Sequence, residues 1–171
     1  MNIVTQTPRI IVREFLPEEE NTYLNHFNDE IVLLYIPKRS REERIGIFHK
    51  ALEQYVVDKQ SGIWGIFNKA DGGFMGSCLL RPFNNEPGKL ELGYSLDRKH
   101  WGGGIATEMA TAMVAHGFTG TDTTEIVAVT ELPNMGSQRV LKKAGFTRVD
   151  NLLRDGEELA FFRKEKASAI V

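Results

Sequence analysis

The chain has 171 residues, 42% of them hydrophobic and 26% charged, and its 21 basic and 23 acidic side chains leave a formal net charge of −2. That composition excludes disordered and collagen-like classes, and the even scatter of charge excludes a broad basic face for nucleic acid or an anionic membrane. The length suits one domain over residues 1–171, able to bury about 70% of its unfolded surface.

The opening "MNIVTQTPRI" lacks the basic cluster and apolar core of a secretory leader, and no run of about 18 apolar residues follows anywhere, so a cytoplasmic location is expected. "RIIVREF", Arg9 to Phe15, is rich in β-branched residues and predicts a strand. Pro17 and the acids Glu18, Glu19 and Glu20 suit the first turn of a helix reaching Asn28. Past Pro37, Ser40 and Glu43 have capping-box spacing, and Ile45, Phe48, Leu52, Tyr55 and Val56 keep an apolar stripe to about Lys59. "GIWGIFNK" and "GGFMGSCLLRPF" predict an antiparallel hairpin through Asp71-Gly72. Cys78 there is the sole cysteine and reads as a small buried hydrophobe. It permits no internal disulfide, and His26, His49, His100 and His116 lack ligand spacing, so no metal is expected.

"GKLELGYSL" alternates cleanly, with Leu90, Leu92, Tyr94 and Leu96 on one face and Glu91, Gly93 and Ser95 on the other. From Gly102 the period becomes helical through Ile105, Met109, Ala112, Met113 and His116, ending near Gly117. Thr124 to Thr130 predicts a strand, Asn134 to Ala144 a helix stopped by Gly145, and the remainder a hairpin around Asp155-Gly156. Trp64, Phe67, Phe74, Phe161 and Phe162 read as sheet core, and the tail at about 165–171 is expected to fray. The order β-α-α-β-β-β-α-β-α-β-β makes an α+β chain with seven strands and four helices.

"HWGGGIATEM", residues 100 to 109, puts three glycines just before a helix whose first N–H groups lack partners. Bare backbone at a helix start is an anion site, here with Arg98, Lys99 and His100 upstream; a tight turn explains the glycines equally well. No Gly-Lys-Ser/Thr follows, which excludes a Walker loop. A dinucleotide fingerprint needs glycine at Thr107 and an acid about 20 residues on, where Glu131 comes late, so a nucleotide-dependent oxidoreductase is disfavoured.

Trp101-Gly102-Gly103-Gly104-Ile105-Ala106 resembles the pyrophosphate loop of the GNAT superfamily of acetyl-coenzyme A-dependent N-acetyltransferases, Gln/Arg-x-x-Gly-x-Gly/Ala. Gly104 and Ala106 match and Trp101 departs. The departure, continued by Thr107 and Glu108, is similar to the Trp-Gly-x-Gly-x-Ala-Thr-Glu loop of the Rim-type branch, related to ribosomal-protein N-terminal acetyltransferases. "NMGSQRVLKKAGF", Asn134 to Phe146, resembles the branch's Asn-x-x-Ser…Leu-x-Lys-x-Gly-Phe segment, and "RIIVREF" its Arg-Leu-x-Leu-Arg first strand.

The resemblance implies a mixed, mostly antiparallel twisted sheet whose central parallel strands, residues 90 to 96 and 124 to 130, splay to admit pantetheine. It implies acetyl-coenzyme A as cosubstrate, held by backbone near Ser95 and Leu96, by Trp101, Gly102, Gly103, Gly104, Ile105, Ala106 and Thr107, and by Asn134 and Arg139. The acceptor implied is a primary amine, on a protein N-terminus or a small molecule, which must lose a proton to attack. Glu91, on the polar face of its strand, is the candidate base; a salt-bridged surface glutamate explains it equally. The tyrosine that many relatives use as acid is Leu141 here, and Ser137, one turn after Asn134, is its substitute; Asn134 also suits a helix cap. Glu108 is read as a tie for the loop backbone. A non-catalytic acyl-coenzyme A sensor is the rival reading, and a monomer and a homodimer are both compatible with the sequence.

Overall fold

The computed structural model describes residues 1–168; the end of the tail expected to fray, residues 169–171, lies outside the described residues. One continuous eight-stranded sheet runs in the order β1-β2-β3-β4-β5-β6-β8-β7. Every neighbouring pair is antiparallel except β5 (Lys89–Leu96) with β6 (Glu125–Glu131).

The sheet has one strand more than the sequence predicts. β1 (Ile3–Gln6) is a four-residue edge strand paired only with β2 (Ile10–Arg13) and broken in register between Ile3 and Thr5. So short and exposed a strand carries no alternation to read. The helical path to Asn28 comes in three pieces: a 3-10 turn at Pro17–Glu19, α1 (Glu20–Asn25) and a second turn at His26–Asn28. A further 3-10 turn at Val32–Tyr35 has no counterpart in the sequence reading.

The remaining elements fall close to expectation. α2 (Arg41–Val57) starts at a true capping box: Ser40 Oγ accepts from the Glu43 N–H at 3.1 Å while Glu43 accepts from the Ser40 N–H at 2.6 Å. β3 (Gly62–Asn68) and β4 (Phe74–Pro82) form the hairpin. α3 (Ile105–Phe118) precedes β6, α4 (Met135–Lys143) follows it, and β7 (Thr147–Arg154) and β8 (Glu157–Glu165) close the chain. Asp155 and Gly156 both have positive φ, as a two-residue hairpin turn requires.

Side-chain alternation divides the core in two. Ile10, Trp64, Ile66, Leu80, Leu92 and Ile126 pack with Ile105, Met109 and Met113 of α3. Phe67, adjacent to Ile66, instead joins Phe15, Tyr23, Leu24 and Phe48 beneath α1 and α2. Of the five aromatics expected in the sheet core, Trp64, Phe67 and Phe162 are buried while Phe74 and Phe161 are half-buried.

Candidate active site

β5 and β6 pair over only three residues, Lys89 with Glu125, Leu90 with Ile126 and Glu91 with Val127, and then part. β4 accompanies β5 to its end, Gly76 opposite Leu96, so the opening lies on the β6 side alone. Gly76 makes this close approach possible. A Cβ there would stand 2.2 Å from the Ser95 carbonyl oxygen and 2.8 Å from Leu96 Cα, so β4 holds Ser95 and Leu96 firmly.

Beyond β5 the chain makes a 3-10 turn at Arg98–His100 and enters the glycine loop. Gly104 is the N-cap of α3 at φ +83°, left-handed backbone that a glycine adopts without strain, and Gly102 sits at φ +78°. The N–H groups of Ile105, Ala106 and Thr107 follow with no intrahelical partner. Gly103 has neither positive φ nor any heavy atom within 4 Å of where a Cβ would stand, so its own backbone does not require glycine.

Two ties hold the loop. The Trp101 indole N–H donates to the Leu96 carbonyl at 2.9 Å, bracing the loop against the end of β5. Arg9, in the turn between β1 and β2, donates to the Gly103 carbonyl at 2.8 Å and to Glu108 at 2.7 Å, while the Thr7 hydroxyl also donates to Glu108. Glu108 therefore fixes the loop through Arg9. A groove of about 630 Å³ runs from Thr7 past Gly104, Thr107 and Thr111. Lys143, and not the exposed Arg139, lines it from α4.

At the start of α4, Asn134 Oδ1 accepts from the Ser137 N–H at 3.1 Å, the cap expected of it. The Ser137 hydroxyl lies 2.9 Å from the Tyr94 hydroxyl, linking β5 to α4, and burial pushes the Tyr94 phenol up to about 12. Alternation along β5 puts Tyr94 on the apolar face. Its ring is there, but its hydroxyl is a polar tip, as in many buried tyrosines.

Glu91 is neither solvated nor at the surface. It is 5% exposed and lies between Arg81 of β4 and Arg154 of β7, with N–O distances of 3.0 and 3.0 Å to one carboxylate oxygen and 3.1 Å from Arg154 to the other. Burial raises its pKa, but the hydrogen bonds and charges of Arg154 and Arg81 outweigh it and hold the carboxyl below the usual glutamate range. Glu91 is also the last β5 residue paired with β6, so this ion triad occupies the vertex at which the strands part.

A second buried polar group was missed in the sequence. His26 lies with Nδ1 2.5 Å from an Asp97 carboxylate oxygen and Nε2 2.7 Å from the Ser95 hydroxyl. Its partners are 71 and 69 residues distant, beyond any local spacing signal. Among the described residues no group of three His, Cys, Asp or Glu side chains is set to hold a metal ion, and no helix is long and apolar enough to cross a membrane.

This arrangement agrees with comparisons to known proteins. The family model described as the acetyltransferase (GNAT) domain matches residues 9–147. The uncharacterized N-acetyltransferase p20 of Bacillus licheniformis is 27% identical over 154 residues, 89% of this chain and 86% of the relative. A ribosomal-protein-S5-alanine acetyltransferase from Vibrio fischeri superposes with a TM-score of 0.78 at 20% identity, covering 94% of this chain and 95% of that one. RimL, an alpha-N-protein acetyltransferase in complex with coenzyme A, superposes with a TM-score of 0.80 at 16% identity, covering 96% and 98%. The two superpositions speak for the shared fold, and the family model spans most of the length: the chain belongs to the GNAT acetyltransferase family and is an acyltransferase.

Proposed function

We propose that the protein moves an acetyl group from acetyl-coenzyme A to a primary amine by direct attack while both are bound. The observation that carries this reading is the parting of β5 from β6 beside a glycine loop that opens α3. The edge of β5 turned away from β4, from Leu92 to Leu96, offers hydrogen bonds to an extended amide arm, and the N–H groups of Ile105, Ala106 and Thr107 are free for a diphosphate. Gly102 and Gly103 leave that approach clear, since a Cβ on either would meet nothing within 4 Å.

The thioester brings an activated acetyl group and a thiol leaving group of pKa near ~8.5, by analogy with cysteine, so the acid required is weak. We assign that role to Ser137, whose hydroxyl is coupled to that of Tyr94. Asn134 fixes the turn that presents Ser137, and the Ser95–Leu96 backbone polarises the carbonyl. Lys143 meets the nucleotide end of the ligand; Arg139 stays a weaker candidate for the same contact. We assign Glu91 to the vertex, where its ion triad sets the width of the opening, because a carboxylate held by two guanidinium groups is a poor base.

An α-amino group at a protein N-terminus is the first acceptor class to test, supported by the Rim-type loop and by the likeness to RimL and the Vibrio fischeri protein. Acetyl-coenzyme A at ~100 times its dissociation constant is expected to stabilise the protein by ~2.7 kcal/mol, a melting shift of several degrees that NADH does not give. Thiol release with N-terminal peptides, amino acids and other amines then identifies the acceptor. No melting shift sinks the reading; a shift with no turnover on any amine leaves the acyl-coenzyme A sensor.

A further inference from the structure

We propose that Ser95, His26 and Asp97 form the proton relay that deprotonates the acceptor amine, with Ser95 touching the amine and His26 acting through it. The inference rests on the acetyltransferase reading above. It starts from a buried imidazole with both nitrogens engaged: the His26 side chain is fully shielded from solvent, in the turn that ends α1. Phe27 and Phe74 pack edge-on against the ring at 4.9 and 5.7 Å, fixing its plane.

The partners determine the protons. Asp97 is an acceptor, so Nδ1 carries the hydrogen donated to it, and Nε2 is left with a lone pair facing the Ser95 hydroxyl. Ser95 then donates to His26 and keeps its own lone pairs for a donor. That hydroxyl is half-buried on the segment of β5 beyond its pairing with β6, and β4 pins the backbone beneath it through Gly76. Serine, histidine and aspartate in this order form an acceptor chain that ends beside the site assigned to the thioester.

The charges around His26 suit a base at neutral pH. Burial lowers its affinity for a proton, Asp97 after β5 and Asp29 after the turn raise it, and Arg44 of α2 lowers it, for a net downward shift from the ordinary histidine value. The imidazole is therefore neutral near pH 7. Asp29 is itself engaged by Arg98 at 3.2 Å. In the transfer, the ammonium of the acceptor gives a proton to Ser95 Oγ as the Ser95 hydroxyl proton passes to His26 Nε2. The freed nitrogen lone pair forms the C–N bond, the C–S electron pair leaves with the thiolate, and the second proton that the nitrogen sheds as the amide forms passes by way of Ser137 to that thiolate, giving the free thiol. Imidazolium, stabilised by Asp97, returns its proton to water through Ser95.

Asp97→Asn tests the polarity of this chain. An asparagine amide donating to Nδ1 moves the ring hydrogen to Nε2, preserving the number of hydrogen bonds while removing the acceptor that Ser95 needs. Turnover is expected to fall by ~10²–10⁴, as for loss of a general base, with the acetyl-coenzyme A melting shift retained. Ser95→Ala, which leaves His26 and Asp97 in place, is expected to lose a comparable factor and the acidic limb of the kcat/KM profile. In both variants the deficit shrinks as acceptors of lower amine pKa are used. Full turnover with an unchanged pH profile in Ser95→Ala overturns the relay alone; absence of the melting shift in the unaltered protein overturns the acetyl-coenzyme A reading and the relay with it.

Discussion

The two sides of the opening between β5 and β6 are made of different materials. Along the glycine loop the groups on offer are backbone N–H groups at the start of α3, with the half-exposed Arg9–Glu108 ion pair behind them. Along the face that carries Glu91 and Ser95, the groups are a buried carboxylate and a buried imidazole, Glu91 and His26, whose partners come from β4, β5, β7 and the residue after β5. A backbone site depends on φ and tolerates exchange of side chains. A site of buried charges depends on keeping every partner, because one left alone is costly.

The largest effect therefore belongs to the vertex. Arg154→Met leaves Glu91 buried with Arg81 as its remaining partner, itself half in solvent, and is expected to cost about 3 kcal/mol, a fall of roughly 6–12 °C in melting temperature. Acid acts on the same group. Because the folded carboxyl titrates below its ordinary value of 4.5, the stability it contributes is complete above that value and is lost as pH falls through the lower, folded value. Urea unfolding from pH 7 to 3 is expected to show a shallower acid slope in Glu91→Gln than in the unaltered protein. If Glu91→Gln instead keeps stability and slope while losing turnover across pH 6 to 9, Glu91 is the base and the contrast between the two sides collapses.

Gly104→Ala comes next and probes the backbone side. A Cβ at φ +83° costs ~1–2 kcal/mol and would stand 3.3 Å from Arg9 Nη2, disturbing the tie that holds the loop. Loss of the acetyl-coenzyme A melting shift should accompany this modest loss of stability. Should binding survive, the loop is less important than the β5 edge.

The same difference in materials explains what the sequence disclosed. The loop, the Ser40 capping box, the Asp155-Gly156 turn and the Asn134 cap are local devices, so adjacent residues spell them out. Parting of the parallel strands came from the family resemblance, and the structure gives it a vertex at Glu91. Alternation along β5 placed Glu91 and Ser95 on one face correctly, but a period of two carries no information about what lies opposite. Arg154 is 63 residues from Glu91, and Asp97 is 71 from His26; only the fold brings them together. Lys143, which lines the groove, lies one turn beyond Arg139 on the same face of α4, and how far along that face the groove extends is decided by how α4 packs on β6 and β7.

Gly103→Ala is the smallest change and separates the two uses of a glycine. Its φ is ordinary and its neighbourhood open, so stability should stay within about 0.5 kcal/mol of the parent in urea unfolding. Its carbonyl is already engaged by Arg9, which a methyl group does not disturb. Any effect on ligand binding must then come from the methyl standing between the loop and its ligand. A rise in the acetyl-coenzyme A dissociation constant of about tenfold, equivalent to ~1.4 kcal/mol, is expected if the diphosphate lies against the Gly102–Gly104 backbone. An unchanged constant would move the diphosphate onto the N–H groups of Ile105 to Thr107 alone, making Gly104 and the helix start the whole of the anion site.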